Sequence, residues 1–270
     1  MKNIPKRRYA MQTLFERSFY LADLLLGASQ TPTYIHMIEA DHTGYGVESQ
    51  LSKWAGGIGD DNSPAMYAAW KAYTLLAKGS RQGISRTPIP NFDDGCEWKG
   101  GLREDHYIVA ASAWENDNVD LMLAALLMWS ISYEVRFHHV GFKHQSEQDC
   151  QEEIGKTLDR YDSVAISKSA PDHQRWYIPV QTRQSPNGIF WVEHQLWPND
   201  WVPGIHWDFA TSDPEDMIRF ISEITGIQGE YWRRVKDAPC CMISIHDQYT
   251  GKDIAIHARP KWTHIDSWED

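Results

Sequence analysis

Residues 189–209, IFWVEHQLWPNDWVPGIHWDF, bring four Trp, two His, two Asp and one Glu into twenty-one positions. Within them His206 and Asp208 stand two apart. Alternate side chains of a strand leave the same face, so these two project together, and His194 can join them across a sheet. Two imidazoles and a carboxylate converging on one point, with a position open to water, are what a hydrolytic metal site requires. One expectation is therefore a metal-dependent hydrolase using His194, His206 and Asp208. H-x-D pairs also arise by chance, and no HExxH accompanies this one. The competing reading is a hydrogen-bonded His206–Asp208 pair on the polar face of a half-buried strand.

Other polar clusters point to no named chemistry. YEVRFHHVGFKHQ (133–145) offers Glu134, His138, His139 and His144. Phe137, Val140 and Phe142 give it the texture of a strand, with partly exposed histidines near a sheet edge. His246 and His257 oppose the isoleucines of the last hairpin, with Arg259 on the side of His257, which reads as a solvent-facing polar surface. A two-histidine phosphoesterase needs Ser or Thr two residues after each histidine; Gln248 and Arg259 stand there instead. No GxSxG marks a nucleophile. GGIGDD (56–61) lacks the GK[ST] ending of a phosphate loop, and its two Asp would repel phosphate. The acidic loops 93–94 and 115–120 lack the spacing of a calcium loop. No cofactor is expected.

Tryptophan is the most unusual component, 13 of 270 residues. Trp is enriched at interface hot spots. Pro198, Pro203 and Gly204 break the chain around Trp197 and Trp201, so these two lie on or beside a loop flanked by Asp200. That is the pattern of a gripping surface, with Trp197, Asp200, Trp201, His206 and Asp208 as its partner-binding residues.

The net charge of −11 and pI near 5.5 exclude an ordinary nucleic-acid binder, which needs a basic surface, and suit a basic protein partner. Cys96, Cys150, Cys240 and Cys241 form no CxxC pair and read as reduced, buried thiols. Glu16, Arg17 and Asp23 interrupt the apolar run near the N-terminus, so no leader is expected. The longest apolar run, Leu121–Ile131, is too short to span a bilayer. A cytoplasmic protein is expected, with a homodimer as an open alternative.

Several elements have clear signals. Apolar residues at helical spacing, from Met11 to Leu25, predict a helix over 8–27. TYIHMIEA (33–40) reads as a strand, and 41–62 as mostly loop. NSPAMYAAWKAYTLLAKG (62–79) is a helix opened by Ser63 and Pro64 and closed by Gly79. Residues 80–101 read as loop, 105–114 as helix or strand, and 118–135 as a buried helix or a helix followed by a strand. SEQDCQEEIGKTLDRY (146–161) is a helix with an acidic first turn. Short Val-, Ile- and Trp-rich strands follow, with SPNG as a hairpin turn. SDPEDMIRFISEITG (212–226) is a helix capped by Asp213, and the chain ends in a hairpin. This order predicts an α+β fold, mostly antiparallel, with helices concentrated in the N-terminal half. It is read as one domain over 1–270, helix-rich over 1–161 and strand-rich over 162–270, with no internal repeat.

The run WAGGIGDDNSPAMYAAW, then AASAWENDN, then the Trp-rich hairpin resembles bacterial immunity proteins that neutralise polymorphic or type VI secretion toxins, over about residues 54–210. The resemblance implies a non-enzymatic α+β inhibitor whose partner is a basic toxin, a nuclease among the candidates, and it carries no catalytic residues. A phage or plasmid counter-defence protein has the same profile.

Overall fold

The structure is a computed structural model that describes residues 11–59, 61–85, 87–88, 97–113, 116–169, 174–181, 189–197, 204–235, 238–247 and 251–260. Helix α3 (Asp117–Ser132) shows how its halves are joined. Every residue from Val119 to Ile131 is buried. A helix that is apolar all round must be enclosed on all sides. Here α3 packs on the first sheet, on α1 (Met11–Ser29) and on α5 (Pro214–Thr225). A single apolar cluster runs from Phe15 and Leu25 through α3 to Phe209 and Ile256.

The first sheet has the order β2-β1-β7-β6-β3, all antiparallel: β1 (Thr33–Ala40), β2 (Val47–Ala55), β3 (Gln82–Ile84), β6 (Gly101–Glu104) and β7 (Tyr107–Ser112). Between β3 and β6 come two-residue strands, β4 (Thr87–Pro88) and β5 (Glu97–Trp98), paired with each other. Helix α2 (Ser63–Lys78) covers one face through Ala72, Leu75 and Leu76, and α1 and α3 cover the other. The buried Lys71 of α2 donates to Ala111 O and to the buried Asp120 of α3, both at 2.9 Å.

The second sheet has eight strands: β8 (Val135–His144), β9 (Ile166–Ser169), β10 (Gln174–Gln181), β11 (Ile189–Leu196), β12 (Gly204–Thr211), β13 (Glu230–Val235), β14 (Ala238–Asp247) and β15 (Lys252–Pro260), in the order β13-β14-β15-β12-β8-β11-β10-β9. With α4 (Glu147–Tyr161) and α5 these form two modules of identical topology, β8-α4-β9-β10-β11 and β12-α5-β13-β14-β15. In each, the first strand runs parallel to the fourth, and the two first strands meet antiparallel at the centre. The helix caps correspond. Ser146 Oγ accepts from Asp149 N, and Asp213 Oδ1 accepts from Asp216 N.

The α+β class is as expected, with mostly antiparallel sheets. Other expectations need correction. Helices are spread along the chain, with α5 deep in the second half, and five strands of the first half form a sheet of their own. Residues 47–55 are a strand, not loop: as an edge strand with mostly exposed side chains, β2 carries little apolar alternation. Residues 105–114 contribute β7, and an internal repeat exists in topology. Among the described residues no helix is long and apolar enough to cross a membrane.

Candidate metal centre

Each module brings a histidine and a last-strand partner to the face of the second sheet that turns away from the helices. His139 on β8 precedes its helix cap by seven residues, as His206 on β12 does (139 to 146, 206 to 213). Glu193 on β11 lies opposite Gly141, two residues beyond His139, and His257 on β15 lies opposite Asp208, two residues beyond His206. Because β8 and β12 pair antiparallel, His206 falls beside Gly141, and the four side chains converge at the centre of the sheet. A side chain at 141 would leave no room: a Cβ there would stand 1.9 Å from the His206 ring.

Three donor atoms close a triangle. His139 Nε2 lies 3.0 Å from His206 Nε2 and 3.1 Å from Glu193 Oε2, and His206 Nε2 lies 3.3 Å from the same oxygen. His139 and Glu193 are fully buried, and His206 nearly so. Two donors held at about 2.1 Å by one ion stand about 3.0 Å apart at a right angle and about 3.4 Å apart at the tetrahedral angle. The observed edges fall in that interval. The imidazole contacts to the carboxylate are close, yet neither Glu193 oxygen accepts a well-aligned hydrogen bond. A buried carboxylate in that condition is costly. A proton between the imidazoles would serve one edge of the triangle, whereas a cation would serve all three. By donor chemistry, by a carboxylate without a well-aligned hydrogen bond and by spacing, these residues fit a divalent metal ion.

The surroundings hold the donors in place. Arg175 Nη1 stands 3.5 Å from Glu193 Oε1, so one carboxylate oxygen faces the guanidinium and the other the imidazoles. Burial alone would raise the Glu193 carboxyl, but His139 and His206 hold it well below the usual carboxylate range. Burial pushes His206 down to about 4 against the pull of Glu193, and His138 down to about 3. Both therefore stay neutral near pH 7, as ligation and hydrogen-bond acceptance demand. The His257 ring stacks on His206 with centroids 4.6 Å apart. Asp208 is held low by the Arg259 guanidinium, which overcomes its burial and meets it with two nitrogens.

The residues expected from sequence are placed as follows. His206 belongs to the donor triangle. Asp208 shares its face but is neutralised by Arg259. His194, one residue after Glu193, points to the opposite face, where it contacts Thr157 Oγ1 and His144 Nε2, each at 3.0 Å. The expected set of His194, His206 and Asp208 therefore becomes His139, Glu193 and His206. β8 is not near an edge but central, and His139 is buried. His257 and Arg259 are buried too, while His246 is exposed beside Asp253. Trp197 is half-buried and donates to Gln195 Oε1. Asp200 and Trp201 lie outside the described residues, and His206 and Asp208 sit too deep to form an exposed partner-binding surface.

No family model and no curated protein matches the chain. Among solved structures it is similar to a variant of methylmalonyl-CoA epimerase from Streptomyces coelicolor in complex with 2-nitronate-propionyl-CoA, at 11% identity and TM-score 0.33, covering 46% of this chain and 93% of that one. Methylmalonyl-CoA epimerase from Mycobacterium tuberculosis gives 14% identity and TM-score 0.31, covering 46% and 87%. A hypothetical protein from Bacillus halodurans gives 11% and 0.33, covering 48% and 99%. Likenesses of this size assign no activity. The buried donor set of His139, Glu193 and His206 is a feature of chemistry rather than of a gripping surface. The expectation of a non-enzymatic immunity or toxin-inhibitor protein, with its type VI secretion setting, is corrected accordingly.

Proposed function

We propose that the chain is a metal-dependent enzyme. His139 Nε2, Glu193 Oε2 and His206 Nε2 would hold one divalent ion, and His257, the second module's counterpart of Glu193, stacks on the His206 ring beside them. The observation that carries this reading is the closed, buried triangle of two imidazole nitrogens and a carboxylate oxygen that accepts no well-aligned hydrogen bond. Imidazole with carboxylate suits zinc and the first-row transition metals better than magnesium or calcium.

When bound, such an ion polarises a substrate oxygen and acidifies a coordinated water. The chain's own groups prepare the place. Glu193 and Asp208 balance Arg175 and Arg259, so these two ion pairs add no net charge to the lining. With a dication held there, the lining would gain positive charge, which would favour a substrate oxygen that carries or develops negative charge. Arg175 keeps Glu193 turned so that one oxygen faces the imidazoles. The reaction class is Lewis-acid activation of a substrate or water oxygen, which keeps the hydrolytic expectation with a different ligand set. A cytoplasmic setting belongs to the same proposal, supported by the buried thiols of Cys150 and Cys241, which form no disulfide.

The test is elemental analysis of protein purified without chelators, with melting curves before and after adding zinc, cobalt, manganese, iron, nickel or copper. Near-stoichiometric metal and a raised melting temperature are expected, both lost in His139→Ala and Glu193→Gln. Metal-free wild-type protein whose melting none of these ions shifts would falsify the proposal.

A further inference from the structure

Resting on the metal-centre reading, we propose that His138 is a positioning residue. Its Nδ1 accepts the Nδ1–H of His139 and so fixes the tautomer in which the Nε2 lone pair of His139 faces Glu193 and His206.

The backbone makes this pair possible. Consecutive residues of a regular strand point to opposite faces, so His138 and His139 ought to be separated by the sheet. The β8–β12 register breaks here: Asp208 pairs with His139, and Phe209 with Phe137, leaving His138 as an extra residue in a bulge. The result is a 2.8 Å contact between the two Nδ1 atoms, with ring centroids 5.1 Å apart at 69°. Both nitrogens are the inner ones of their rings, so the outer Nε2 of His139 is left to the donor triangle.

A neutral imidazole has one donor and one acceptor nitrogen. If Nε2 of His139 offers its lone pair to a cation, its proton sits on Nδ1, and a fully buried N–H needs an acceptor. His138 Nδ1 is at hydrogen-bond distance for that task, which places the proton of His138 on its own Nε2. The second module has no counterpart. The residue before His206 is Ile205, packed on the apolar core, and His206 Nδ1 is buried without a hydrogen-bond partner. His206 is located instead by the space over Gly141 and the stacked His257 ring. His138 is thus a device of the first module, not a product of the repeat.

The experiment compares His138→Asn, whose Oδ1 can replace the lost acceptor, with His138→Leu, which has none; His138→Phe serves should the leucine variant fold poorly. Zinc and cobalt affinities are measured by competition with a chromophoric chelator, alongside the melting temperature of each metal-free protein. The leucine variant should bind about 10- to 100-fold more weakly, and the asparagine variant within about threefold of wild type, at similar metal-free stability. Leucine binding at the wild-type level, or asparagine binding as weakly as leucine, would overturn the role of His138. Wild-type protein that binds neither metal would instead overturn the metal centre itself, and this proposal with it.

Discussion

Replacing Gly141 by Ala isolates the geometry of the metal centre. An added Cβ would meet His206 Cε1 at 1.9 Å, Nε2 at 2.2 Å and Nδ1 at 2.7 Å. Ordinary contact requires roughly 3.4 Å, so the ring must retreat by about 1.5 Å, whereas a ligand nitrogen tolerates about 0.2 Å. The 3.0 and 3.3 Å edges that end on His206 Nε2 cannot survive that movement. Loss of one of three donors should weaken zinc binding by at least about 100-fold, or about 2.7 kcal/mol. Overpacking should cost the metal-free fold about 1–3 kcal/mol, a fall of about 2–4 °C in Tm for each kcal/mol. Chelator competition reads the first effect and thermal melting the second. Gly155→Ala is the control: its Cβ would meet nothing within 4 Å and it lies inside α4, so it should leave affinity alone and raise stability by about 0.5–1 kcal/mol. Wild-type zinc affinity in Gly141→Ala would refute the placement of His206 as a ligand.

Other substitutions separate structural from metal-binding roles. Asp208→Asn leaves the buried Arg259 without its charge partner and should cost about 3–5 kcal/mol in chemical denaturation; the double variant with Arg259→Met should recover much of it. His194→Phe should keep metal affinity within about threefold, because its ring lies across the sheet from the donors, while losing about 1 kcal/mol for each hydrogen bond to Thr157 and His144. His36 gives a pH signature far from the centre. Burial pushes it down to about 4, against about 6.5 in the unfolded chain. The unfolded chain therefore takes up the proton first. The full stability is present above pH about 6.5 and is lost as pH falls toward 4, by up to about 3 kcal/mol. Denaturation of wild type and His36→Phe between pH 7 and 4 should show a steeper decline in wild type; parallel curves would contradict it.

Local punctuation made much of the fold legible. Pro64 and Gly79 bound α2, and Asp213, Pro214 and Gly226 bound α5, because caps and turn residues act within a few positions. His206 was recognisable as a ligand type for the same reason. Its partners were not, because they depend on which face a residue takes and on long-range register. Glu193 and His194 are neighbours, and only the pairing of β11 with β8 and β10 shows that Glu193 faces the centre. The bulge at His138 breaks the alternation that would have sorted the histidines of β8. The two modules share a topology but not a residue pattern. Gly141 corresponds to Asp208 and Glu193 to His257, so the repeat is invisible to self-comparison. One signal was present, the equal spacing from His139 to Ser146 and from His206 to Asp213. β2 was missed for a different reason: an edge strand open to solvent needs no apolar face.

Anomalous diffraction from crystals grown with zinc, recorded on both sides of the zinc absorption edge, locates the ion among its donors. One strong peak is expected about 2.0–2.2 Å from His139 Nε2, Glu193 Oε2 and His206 Nε2 together, with Asp208 still bound to Arg259. Zinc-grown crystals with these three side chains ordered and no peak between them, or with a peak at His194 instead, would contradict the metal centre.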